Sequence, residues 1–130
     1  MGQNSRAQGI LINEISTCDQ SIILDDRGQP RDWIELFNSS EYPISLTGHY
    51  LSDDPEHLLK WEIPELVVQP HDFLLILATG ERRASSQFPC ADFKLKCHGE
   101  PLFLTGSNGQ VLDIIEPVSL SDGTSYGRCP

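Results

Sequence analysis

DWIELFNSS, residues Asp32–Ser40, is the stretch on which the reading of this chain turns. Its apolar residues alternate with polar ones at a period of two, and successive side chains of a strand point to opposite faces. Trp33, Glu35 and Phe37 therefore share one face, and Asp32, Ile34, Leu36 and Asn38 share the other. The face with Ile34 and Leu36 is the core face. Glu35 then lies between two aromatics on a half-covered face, where a carboxylate needs a donor. Asp32 and Glu35 diverge on a regular strand, so they do not form a catalytic pair by themselves. Asn38, Ser39 and Ser40 turn the chain at the strand's end.

The same grammar extends in both directions. Short runs rich in β-branched, aromatic and leucine residues alternate with Gly, Pro, Asn, Asp and Ser. They are ILINEIS (10–16), SIIL (21–24), ISL (44–46), HYLS (49–52), LKWEI (59–63), FLLILA (73–78), DFKLK (92–96), PLFLT (101–105) and VLDIIE (111–116). The last two are joined by GSNGQ, a hairpin signal. Helical periodicity is almost lacking. DDPEHLL offers one turn, with Asp54 as its cap and Pro55 at its first position. Glu81–Pro89 reads as a mobile loop. About ten short strands at this spacing, without crossover helices, predict an all-β fold, an antiparallel sandwich or barrel.

The chain has 130 residues, enough for one domain with a core of its own. Composition and termini divide it into a polar leader or expression remnant at 1–9 and a β-domain at 10–130. Both ends read as cut from a longer chain. Nine Lys and Arg against nineteen Asp and Glu give a net charge of -10. Binding nucleic acid requires a cationic footprint that displaces counterions, so DNA and RNA are not expected partners. Attraction to anionic lipid is disfavoured on the same ground. The longest apolar run, Phe73–Ala78, is strand-sized, which argues against direct membrane insertion. The N-terminus carries no apolar segment of a secretory signal.

Candidate chemistry is sparse. Cys18, Cys90, Cys97 and Cys129 allow two disulfides in three pairings. Cys90 and Cys97 either bridge a short excursion or stay free thiols. Glu14, Asp32 and Glu35 could serve a metal-dependent hydrolase only if they converged, because hard cations need several oxygens at once. Asp25-Asp26 and Asp53-Asp54, beside aromatics such as Trp33 or Tyr50, suggest a calcium- or glycan-binding module as an alternative. The EF-hand loop pattern is not met, and turn formation explains these acids more simply. The histidines at 49, 57, 71 and 98 follow no zinc spacing. Neither a nucleophile elbow nor a phosphate-cradling glycine loop is present. No catalytic residue, metal ligand or cofactor is assigned.

Six segments in order resemble the lamin tail domain family in its bacterial form. They are ILINEI, DWIELFNSS, ISLTGHYLSDD, KWEIP running into FLLIL, GEPLFLTGSNGQVLDII, and DGTSYGR. The resemblance spans nearly all of Ile10–Arg128. It implies an immunoglobulin-like antiparallel β-sandwich without catalytic activity. It also implies an accessory or interaction module of an exported or membrane-associated bacterial protein, in the cell envelope or outside, contacting a protein partner or a linked enzyme domain. The family-motif positions are Asn13, Glu14, Trp33, Glu35, Asn38, Gly48, Trp61, Tyr126, Gly127 and Arg128. Their expected jobs are structural: Gly48 permits a bend, and Trp33 and Trp61 supply packing area or a surface patch. Arg128 or a nearby cation is expected to pair with Glu35 or Glu14. The cysteines stand outside the family pattern, and animal lamin tails lack the INEI and SYGR forms, which speaks against a nuclear role.

Overall fold

The structure, a computed structural model, describes residues 9–16, 23–24, 26–29, 31–81, 87–95 and 101–116, and the backbone of 125–127. Within these the chain forms β1 (Ile10–Ser16), β2 (Asp32–Asn38), β3 (Ile44–Ser45), β4 (Tyr50–Ser52), β5 (Trp61–Glu62), β6 (Val67–Val68), β7 (Phe73–Ala78), β8 (Cys90–Ala91), β9 (Leu102–Thr105), β10 (Val111–Ile115) and β11 (Ser125–Gly127). A five-stranded sheet runs β11-β1-β2-β7-β8, and a four-stranded sheet runs β10-β9-β4-β5. β3 and β6 form a small third sheet. All pairings are antiparallel except β7 with β8, which is parallel. No helix among the described residues is long and apolar enough to cross a membrane.

The core lies between the two large sheets. Ile12, Ile34, Leu36 and Ile76 enter it from the five-stranded side, and Leu51, Trp61, Leu102 and Leu104 from the other. This is the face the alternation assigns to Ile34 and Leu36. Burying such side chains, at about 1.5–3 kcal/mol each, is the main force holding the layers together. Trp61 is a core residue, which decides between the two roles expected of it.

The three longest strands coincide with their sequence runs, residue for residue at β1, β2 and β7. Two expectations differ. Among the described residues of DFKLK, 92–95, only Lys94 makes a bridge, to Thr79, while the strand lies earlier at Cys90–Ala91. There Leu77 N donates to Pro89 O and Gly80 N to Ala91 O, so β8 is held by the end of β7. β6 and β11 were not anticipated as strands. Half of SIIL falls outside the described residues, leaving Ile23 and Leu24. Gly9 bonds Ser39: its N–H donates to Ser39 Oγ and its carbonyl accepts from Ser39 N.

One irregularity shapes the rest. The β1–β2 register shifts between Ile12 and Glu14, a bulge at Asn13. Ile10 and Ile12 point inward, then Ile15 does, while Asn13 and Glu14 stand together outside the core. A bulge inserts one residue and restores the apolar face beyond it. The bulge also leaves Ile12 N–H directed away from β2. Asp113 of β10, only 4% exposed, accepts it at 2.9 Å and stitches the two sheets together.

Candidate functional site

The bulge and the β2 alternation organise the outer face of the five-stranded sheet into three rows across the strands. The first row is Ser16, Trp33 and Leu77; the second Glu14, Glu35 and Leu75; the third Leu11, Phe37 and Phe73. Adjacent strands lie about 4.8 Å apart and successive same-face residues about 7 Å apart. The rows therefore form a grid with distinct chemistry in each line.

The first row is covered by the protein's own loops. Ile23 and Phe88 pack with Trp33, Leu75, Leu77 and Cys90 into a satellite cluster outside the main core. Trp33 is thus half-buried against its own fold, and its indole N–H has no acceptor among the described residues. Cys90 is a buried free thiol whose Sγ lies 3.5 Å from Phe88 O. Cys97, the other half of the bridge considered above, lies outside the described residues.

The second row is acidic. Glu14 and Glu35 are direct cross-strand partners, an arrangement that repels. Asn13 relieves it: its Nδ2 donates to Glu35 Oε1 at 2.8 Å. The donor that Glu35 requires is therefore a neutral amide from the bulge rather than a cation. Glu14 lies opposite Gly127 in the β1–β11 register, so SYG does run beside INEI. Arg128 lies outside the described residues, as do the side chains of Tyr126 and its neighbours. Asp32 pairs with Ala78, on the opposite side of β2 from Glu35. Among the described residues no three metal-ligating side chains converge.

The third row is apolar, half-buried at Leu11 and Phe37 and exposed at Phe73. Phe73 is 50% exposed, and its ring packs against Phe37 in a tilted contact, 4.8 Å between centroids and 34° between planes. His71 adds a third ring, 6.5 Å from Phe37, with Nε2 3.1 Å from Glu41 Oε2. His71 adopts φ 60°, the single non-glycine residue with positive φ among those described. It is the third residue of the turn Gln69–Asp72, closed by Asp72 N donating to Gln69 O. Pro70 presets the second position of such a turn, and the third calls for a positive φ.

Asn38 secures this end of the sheet. Its Nδ2 donates to Tyr42 O at 2.7 Å and Val68 O at 2.9 Å, and its Oδ1 accepts from Ser40 N and Ser40 Oγ. Its backbone exchanges bonds with Asp72 O and His71 N. The residue read as a turn-former is a fully buried hub that fixes the loop 39–43 and the His71 turn together. Gly48 takes φ 76° in the turn Leu46–His49, as its expected role requires.

The acidic loop 53–57 is engaged internally. Asp53 is held by Lys60 at 2.7 Å. Asp54 Oδ1 accepts from Glu56 N and its Oδ2 contacts His57 Nδ1 at 3.0 Å. The hydrogen bond from His57, then that from the Glu56 amide, holds the Asp54 carboxyl below its ordinary value. DDPEHLL is accordingly a pair of turns rather than a helix. Asp25 lies outside the described residues.

Sequence inspection missed the bulge, Asp113 and the His71 turn. The first had a signal. Isoleucines at 10, 12 and 15 break a period of two by one residue, which is the mark of an insertion on the outward face. When the chain is compared with known proteins, the model of the Lamin Tail Domain family matches residues 3–119. No curated protein matches the chain.

Proposed function

Because the chain belongs to the lamin tail domain family, we propose that it is a non-catalytic interaction module of a longer exported bacterial protein. It sits in the cell envelope or outside the cell, where it contacts a protein partner or orients a linked enzyme domain. The observation that supports this reading is the division of the outer sheet face. The protein's own loops cover the Trp33 row, while the Phe37–Phe73 row keeps Phe73 half-exposed. An exposed aromatic ring rimmed by polar groups is a feature of contact surfaces. The amides of Asn13 and Asn38 are engaged in hydrogen bonds within the fold.

The calcium or glycan alternative draws less support, because Asp53 and Asp54 already hold protein donors. Assays of the isolated chain against phosphodiester and β-lactam substrates, with Mg²⁺, Mn²⁺, Zn²⁺ or Ca²⁺, should give no turnover. Metal-dependent turnover removed by Glu35→Gln would overturn the module reading. Deleting the domain from its parent protein should change where the parent resides or what it contacts, while the linked domain keeps its turnover.

A further inference from the structure

We infer that the Leu11–Phe37–Phe73 row, together with Glu35 beside it, docks an extended cationic segment of another protein. On that segment an apolar residue and an Arg or Lys stand two positions apart. The inference rests on the interaction-module reading and gives it a surface and a partner chemistry.

The geometry comes from the strand register. Leu11, Phe37 and Phe73 are cross-strand neighbours, and Glu35 follows Phe37 on the same face at the next step of β2. That step is about 7 Å, which is also the spacing of same-face side chains on an extended peptide. A leucine over the Phe37–Phe73 pair therefore places a guanidinium or ammonium two residues away at Glu35. The packed rings and His71 offer faces for the same cation, since guanidinium groups stack on aromatics and pair with carboxylates in a fork.

Charge selects the occupant. The cations among the described residues are Arg27, Arg31, Lys60 and Lys94. Arg27 and Arg31 engage Glu81, Lys60 engages Asp53 and the Phe93 ring, and Lys94 lies across Gly80. None of them pairs with Glu35, Glu41 or Asp72. The patch is thus fringed by acids on a chain of net charge -10. A second copy docked face to face with matching rows in register would oppose one Glu35 to another, which is unfavourable. A cationic segment meets a complementary field and gains association rate from it.

His71 supplies an independent indication. A side chain in the left-handed region carries a cost of order 1 kcal/mol that glycine at this turn position avoids. Backbone outliers of this kind cluster at ligand-contacting sites. Here the strained residue is the one that places a ring beside Phe37.

The test uses a capped peptide of about nine residues with Leu and Arg alternating at every second position and Thr between. It is titrated into the ¹⁵N-labelled full chain, with Glu-for-Arg and citrulline-for-Arg versions as controls. The expected result is saturable amide shifts concentrated at Leu11, Glu35, Phe37, His71 and Phe73. Phe73→Ser, at a half-exposed position that should leave folding intact, weakens binding about tenfold. Glu35→Gln and 0.5 M NaCl each weaken it about fivefold. Circular dichroism verifies that both variants fold. Shifts centred elsewhere, equal binding of the Glu peptide, or unchanged affinity in Phe73→Ser would overturn the assignment. Concentration-dependent dimerisation abolished by Phe73→Ser would overturn it in favour of a second copy. A null titration removes this patch and leaves the module reading standing; metal-dependent turnover removes the module reading by a separate measurement.

Discussion

Asn38 shows how much one polar side chain can carry. All four hydrogen-bonding positions of its amide are filled, two carbonyls by its Nδ2 and two donors of Ser40 by its Oδ1. Replacing it by Asp turns the amide's donors into acceptors facing Tyr42 O and Val68 O, inside the protein. Asn38→Asp should therefore destabilise by about 3–4 kcal/mol, and Asn38→Ala by about 2–3 kcal/mol, in urea unfolding. Equal midpoints for both variants and the parent would contradict the hub role. Asp54 gives a subtler case. His57 and the Glu56 amide stabilise its charged form, so its carboxyl titrates below the ordinary value. A depressed folded pKa contributes stability that is complete above the unfolded value. That contribution disappears as the pH falls through the folded one. A ¹³C titration should place the Asp54 midpoint below that of a free aspartate, and His57→Ala should raise it. Sequence identified Asn38 and Glu35 as residues of interest, but not what they bond. Their long-range partners, Val68 and Asn13, come from other strands, and only the assembled fold brings them near.

Elements were legible in proportion to their length. β1, β2 and β7 hold six or seven residues each, enough for alternation to declare itself. β6 and β8 hold two residues each, and their pairing depends on neighbours already in place. A run of two apolar residues in sequence carries no period. The turns make the same point through contrast. Leu46–His49 has Gly48 at its third position with φ 76°, and a Cβ there would sit 3.1 Å from Ser107 Cβ. Gln69–Asp72 puts His71 at the equivalent position with φ 60°. Gly48→Ala should cost about 1–2 kcal/mol, from strain and the close contact. His71→Gly should act in the opposite sense, stabilising by up to about 0.5–1 kcal/mol while weakening the cationic peptide. Paired thermal and titration measurements on the two variants test this opposition. A His71→Gly protein that is markedly less stable would show that the ring supports the fold instead.

At the scale of the whole molecule, composition had excluded partners more readily than it could name one. The net charge of -10 disfavours phosphate-bearing ligands, but surplus acid says nothing about where it is concentrated. The fold supplies the location, by turning the polar positions of β1 and β2 into one row beside a part-exposed aromatic one. The same surplus acts on stability, because like charges confined to a compact body repel one another. Salt distinguishes this long-range effect from local pairing. The Debye length falls from about 10 Å at 0.1 M to about 3 Å at 1 M, which removes repulsion between distant acids. Exposed pairs such as Lys60 with Asp53 lose some attraction too, but each contributes about 1 kcal/mol or less. The repulsion acts over the whole surface and outweighs them. Raising NaCl from 0.1 to 1 M should therefore increase the melting temperature by about 3–5 °C, if the screened repulsion amounts to about 1 kcal/mol. Chloride is used because sulfate stabilises through exclusion from the surface rather than through screening. The same salt step weakens the Leu–Arg peptide, so folding and binding should respond with opposite signs. A melting temperature that falls with NaCl would mean that local pairs dominate, and that charge repulsion is not what limits this fold.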